Sequence, residues 1–187
     1  MKTVALRRDG RVLFSAPEVA VVFEPLSLLK GSPRIRSISI GGALFDPGGL
    51  PLPSPRERMP GPLALPFDTL LAQKCILRTP RGDLKIEEGK VSLGDGTIGA
   101  SGSLLYRETP FSIRAELEPV GEELILRRLS VKTAQGSLTA TGRLFPVMDL
   151  AGEISDLDVD VLEGFWPELA RQGYSGKFST TFSDKGS

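Results

Sequence analysis

Gly96-Thr97-Ile98-Gly99-Ala100-Ser101-Gly102-Ser103-Leu104 returns forty residues later as Gly136-Ser137-Leu138-Thr139-Ala140-Thr141-Gly142-Arg143-Leu144. The common pattern is Gly-x-(Ile/Leu)-x-Ala-x-Gly-x-Leu, preceded in one copy by Val91-Ser92-Leu93 and in the other by Val131-Lys132-Thr133. Matching positions alternate, which is the period of an extended strand rather than of a helix. A recurrence at this spacing predicts a sheet built by adding similar hairpins, with function carried by the face that sheet presents.

The same period runs outward in both directions. Phe111, Ile113, Ala115 and Leu117 alternate with Ser112, Arg114, Glu116 and Glu118, a strand with one apolar and one wetted face. Leu124 and Leu126 have one parity and Leu129 and Val131 the other, so a bulge is expected at Arg127-Arg128. Leu150, Gly152 and Ile154 continue the series. Upstream, Val4-Ala5-Leu6 and Val12-Leu13-Phe14 flank Asp9-Gly10, a dipeptide suited to a tight hairpin turn. Val19, Val21 and Phe23 lead to Pro25-Leu26-Ser27-Leu28-Leu29, a single helical turn stopped by Gly31, and Ile35, Ile38 and Ile40 approach a bulge at Gly41-Gly42.

Two stretches interrupt the strands. Residues 47–66 hold seven prolines and three glycines, which removes ladder donors and fixes φ, so a central strand is excluded there. The segment is read as an irregular insertion between two sheet halves, with a partner-binding extended segment as the other reading. A short helix is expected next, with Asp68 near its start and Phe67, Leu70 and Leu71 on one face. Residues 161–171 form the other helix candidate, with Asp160 as N-cap and Leu162, Phe165, Trp166 and Leu169 at helical spacing. The fold class expected is therefore mainly β: an elongated, curved antiparallel sheet forming an open, taco-shaped groove with one or two short helices. It divides into N-terminal strands (1–46), the proline-rich loop (47–66) and the continuing groove (67–187).

Composition narrows the function. Twenty-three basic and twenty-three acidic residues cancel, so no net field draws the 187-residue chain to the phosphate backbone of a nucleic acid or to an anionic lipid surface. No apolar run reaches the eighteen residues of a membrane-spanning helix. Histidine is absent, which removes imidazole base chemistry, and Cys75 is the single cysteine, so no internal disulfide forms. Asp156, Asp158 and Asp160 resemble the start of a calcium loop, but Val161 stands where its glycine belongs and Pro167 where its glutamate belongs. The chain is read as a non-enzyme that needs no cofactor and no metal.

Three passages resemble the AsmA-like group of bacterial envelope proteins, which includes TamB and YhdP. They are Ala16-Pro17-Glu18-Val19-Ala20-Val21-Val22-Phe23-Glu24-Pro25-Leu26-Ser27-Leu28-Leu29-Lys30-Gly31 with the isoleucine-rich 35–40, the twice-used glycine pattern, and Gly152 to Leu162 followed by Trp166-Pro167 and Gly173-Tyr174-Ser175-Gly176. Two departures are plain: the family's N-terminal membrane helix is absent from this sequence, and its long members far exceed this length.

The resemblance implies a groove whose apolar interior carries phospholipid acyl chains between inner and outer membranes. It places the protein in the periplasm, anchored to the inner membrane by a segment outside this sequence, as one segment of a longer bridge with inner- and outer-membrane envelope proteins as partners. The groove lining expected is Ile98, Ala100, Leu104, Ile113, Ala115, Leu117, Val131, Leu138, Ala140, Leu144 and Ile154. The competing expectation is a structural or assembly β-module that docks a partner strand on an open sheet edge.

Overall fold

A computed structural model describes residues 3–8, 11–29, 31, 33–46, 67–79, 82–94, 96–158 and 176–185. Thirteen strands form one sheet: β1 (Val4–Arg8), β2 (Arg11–Ala16), β3 (Glu18–Phe23), β4 (Ile35–Gly41), β5 (Leu44–Phe45), β6 (Phe67–Thr79), β7 (Gly82–Gly94), β8 (Thr97–Tyr106), β9 (Thr109–Val120), β10 (Glu123–Lys132), β11 (Ser137–Phe145), β12 (Asp149–Asp158) and β13 (Lys177–Lys185). The one helix among the described residues is α1 (Pro25–Leu29). The sheet is open and curved: β1 and β13 sit at opposite ends of the strand order and do not pair.

At the N-terminal end, β2 and β3 are two parts of one line broken at Pro17, and β4 and β5 are two parts of a second line broken at Gly42-Ala43. The pairings Ser15↔Leu44 and Glu18↔Gly41 keep one register across both breaks. Pro17 cannot donate to a ladder, and Gly42 opposite it adopts φ +63°, where a Cβ would lie 3.1 Å from the Pro17 ring. The expected bulge at Gly41-Gly42 is this break. Pro25 fits the first turn of α1, where its missing N–H is no loss, and Gly31 at φ +70° follows the helix. Ser27, buried, donates its hydroxyl to the Glu24 carbonyl at 2.6 Å and accepts the Arg34 amide at 2.9 Å, which ties the helix to the start of β4.

Three sequence expectations change. The sheet is mixed, because β4 and β5 both pair parallel with β6 while every other pair is antiparallel. The proline-rich residues 47–66 therefore join two parallel strands, which a tight hairpin cannot do. Their own structure, and the 161–171 helix, lie outside the described residues. Residues 67–71 are not a helix but the first part of β6, held on one side by β4 and on the other by β7. With β4 and β7 on either side, a strand here satisfies ladder groups on both edges, which a single helical turn would leave without partners.

The forty-residue recurrence also differs from a hairpin repeat. Its copies are β8 and β11, three places apart in the strand order, so they run in opposite directions. The recurrence is of single strands meeting the same demand, two small residues held between two large ones on the same parity.

Candidate functional site

Pairing partners project to the same side of a sheet, so the ladders define its faces residue by residue. One row runs Val21, Ile38, Leu70, Val91, Ala100, Ala115, Leu129, Ala140, Gly152, Phe182 across ten strands. The next row on the same face runs Val19, Ile40, Ala72, Gly89, Gly102, Ile113, Val131, Leu138, Ile154, Thr180. Neither holds a charge. The row between them on the opposite face reads Ala20, Ser39, Leu71, Lys90, Ser101, Arg114, Ser130, Thr139, Glu153, Thr181. At about 4.8 Å per strand the apolar rows extend on the order of 40 Å along the sheet.

Keeping these rows in phase depends on local irregularities. At Arg127 the β9–β10 register slips between Leu126 and Arg128, and this extra residue returns Leu129 and Val131 to the side already occupied by Leu126. A slip between Ile86 and Glu88 does the same in β7, and one between Ile154 and Leu157, where Asp156 takes φ +52°, does it in β12. The Asp156 amide is satisfied there by the Ser179 hydroxyl at 2.9 Å. Asp156 is thus a bulge residue, Asp158 pairs with Lys177, and Asp160 lies outside the described residues.

The apolar face is the inner side of the curve. Tyr106 and Phe111, at the β8–β9 turn, pack in one cluster with Ile154 and Leu157 of β12, joined by Leu84, Leu104, Val131, Leu138 and Phe182. The strands β10 and β11 stand between them in the sheet, but their connecting turn at 133–136 stops short at this end. The sheet must curl for these side chains to meet. Gly136 marks the tight point: a Cβ there would lie 2.5 Å from the Asp156 carbonyl carbon and the Leu157 nitrogen. A second cluster, Ala16, Ala43 and Cys75 with Phe14, Ile40, Ala72 and Ile86, packs the same face under the break in β4–β5.

Of the eleven lining residues expected, ten lie on this inner face by register. Ile98, Ala140 and Ile154 are buried, while Ala100, Leu104, Ile113, Ala115, Leu117, Val131 and Leu138 are half-buried. Leu144, also half-buried, falls where the β10–β11 register shifts and has no place in the regular rows. Sequence reading put Phe111 on the apolar face but not in the lining and missed Tyr106 and Leu157; the three close one rim of the curve with side chains of the protein itself. Leu157 was hidden because the Asp156 bulge reverses its parity. The other rim, formed by the β7–β8, β9–β10 and β11–β12 turns, leaves Val120, Val147 and Met148 exposed.

Among the described residues no group of three or more Cys, Asp and Glu is placed to hold a metal ion. Cys75 is buried, with its thiol donating to the Gln73 carbonyl at 3.3 Å. Arg34, an exposed residue just ahead of β4, has its pKa raised by its hydrogen bond to Asp68, by that carboxylate's charge and by Glu24. No helix among the described residues is long and apolar enough to cross a membrane. Comparison with protein-family models, with curated proteins and with solved structures finds no match to this chain.

Proposed function

We propose that the inner face binds acyl chains and that the protein serves as a segment of a phospholipid conduit in a bacterial envelope, as the AsmA-like resemblance implies. One observation carries the reading: two adjacent rows without a charged residue cross ten strands, exposed at β3, half-buried or buried by the curl from β4 onward, and uncovered by any second layer among the described residues. A monomeric soluble domain ordinarily covers such a face with a helix or a second sheet. Each methylene transferred from water onto this surface gains about 0.8 kcal/mol without any reading of the headgroup. Small residues at Ala72, Gly89, Gly102, Ala100 and Ala115 leave the middle of the face shallow where large ones would fill it. The filled rim at Tyr106 and Phe111 directs chains along the rest of the curve.

A second reading has its own observation. Strand β3 pairs only with β4, and Val19, Val21, Val22 and Phe23 are each at least 42% exposed, so both its faces and one edge are open. Such an edge accepts an added strand, as an assembly module would.

Native mass spectrometry of gently extracted protein, with identification of released lipid, separates the two. Acyl binding requires co-purifying phospholipid that is lost in Ala115→Asp, where a carboxylate would enter the uncharged row, and kept in Thr141→Asp on the opposite face. Ala115 suits this test better than Ala140, whose 4% exposure makes a charge there a folding defect. Lipid-free protein from lipid-rich conditions, or equal occupancy in a folded Ala115→Asp variant, sinks the conduit and leaves the strand-docking reading.

A further inference from the structure

The outer face carries a charge pattern that acyl binding does not use. In β10, Arg128, Ser130 and Lys132 project to the outer side, and Arg114 of β9 stands directly opposite Ser130. Each of the two β10 cations is therefore a diagonal neighbour of Arg114, about 7–8 Å away along the backbone. Ser101 lies on the far side of Arg114 and Ser112 opposite Lys132. These short hydroxyl side chains form the floor, and the long cations the walls, of a trough of about 440 Å³.

The cations are unspent. Elsewhere on the described surface five basic groups sit in ion pairs, Arg143 with Glu123 at 3.0 Å and Arg127 with Glu118 among them, and the other unpaired ones, such as Arg7, Arg36 and Lys74, are not gathered with a second cation on adjacent strands in this way. Arg114, Arg128 and Lys132 have no ion pair among the described residues. Glu116 pairs in register with Arg128 yet makes no ion pair with it, so one carboxylate faces three cations. In a chain of zero formal net charge this is a local excess with a definite place.

We propose that this trough is an anion site that takes a phosphate group, with the two guanidinium groups and the Lys132 ammonium on its oxygens and the serine hydroxyls as further donors. Two arginines offer paired donors that match phosphate geometry, and the hydroxyls supply bonds where a third arginine would not fit. The shared chemistry is a phosphate mono- or diester, carried either by a free phosphorylated compound or by an anionic lipid headgroup. The site is on the opposite face from the acyl rows and stands or falls independently of them.

Titration of the full chain with pyrophosphate, followed by amide chemical shifts, reads the first source. Flotation with phosphatidylglycerol vesicles against phosphatidylcholine vesicles reads the second. The expected result is saturable shifts at Ser101, Ser112 and Ser130, or selective flotation with the anionic vesicles, weakened about tenfold by each of Arg114→Gln and Arg128→Gln. Arg78→Gln, on the same side but paired with Asp83, should leave binding unchanged. Pyrophosphate binding identifies a free phosphate compound, and flotation alone identifies a headgroup. Absence of both, or binding that Arg114→Gln/Arg128→Gln and Arg78→Gln affect alike, overturns the assignment.

Discussion

Replacing Gly102 with alanine tests the close approach of β7 and β8 on the inner face. Gly102 pairs with Gly89, and a Cβ on Gly102 would lie 2.7 Å from the Glu88 carbonyl oxygen and 3.3 Å from the Gly89 Cα. Both obstacles are backbone, so relief requires β7 to move. Overpacking of this kind costs about 1–3 kcal/mol. Alanine also restricts the unfolded chain, which offsets about 0.4–1 kcal/mol where the native conformation tolerates it. The net effect expected is a loss of about 1–2 kcal/mol, or ~2–8 °C in Tm for a chain of this size.

Gly94, at the end of the partner strand β7, is the control. Nothing lies within 4 Å of a Cβ placed there, so Gly94→Ala should be neutral or gain a few tenths of a kcal/mol up to about 1. Urea unfolding followed by circular dichroism gives both midpoints. Opposite displacements support two backbones pressed together beneath a shallow groove floor. Equal midpoints, or a Gly102→Ala midpoint above wild type, refute the close approach and with it the reason this part of the face is shallow.

Deletion of Arg127 removes the extra residue that keeps Leu126 and Leu129 on one side, so two large side chains on one flank of the bulge must turn outward. The stability lost should be about 3–6 kcal/mol by the same denaturation assay. Arg127→Ala, which sacrifices only a partly exposed pair with Glu118, should lose no more than about 1 kcal/mol, and similar losses for deletion and substitution would refute the bulge's role. Cys75, 7% exposed within the Ala16–Ala43 cluster, should react with a water-soluble thiol reagent only as the protein opens. Rapid complete labelling of native protein would place the thiol elsewhere.

Much of the inner face could be read directly because the chain is extended and the side-chain period of a strand is two. Parity groups Ile113 with Ala115 in one strand and Ile98 with Ala100 in another, their shared apolar character sets both groups on one side, and the parity clash between Leu126 and Leu129 locates the bulge. What parity could not supply was contact between strands that are not neighbours. Tyr106, Phe111, Ile154 and Leu157 meet only because the sheet curls past the short β10–β11 turn, and no spacing between residues 106 and 157 encodes that.

The outer trough shows the same division. Arg114 is legible in the sequence as a wetted-face residue and Arg128 as part of a bulge, and their nearness to each other and to Lys132 follows from the β9–β10 register. Phe67 to Leu71 carries apolar residues on both parities, which resembles one turn of a helix until the parallel strand β4 is found beside it. Strand identity, facing and breaks are thus local properties, set by side-chain alternation and by the backbone limits of proline and glycine. Strand direction, the parallel pairing of β4 and β5 with β6, and the curvature that brings Phe111 to Leu157 arise from hydrogen bonds and packing between distant segments, and tertiary structure alone decided them.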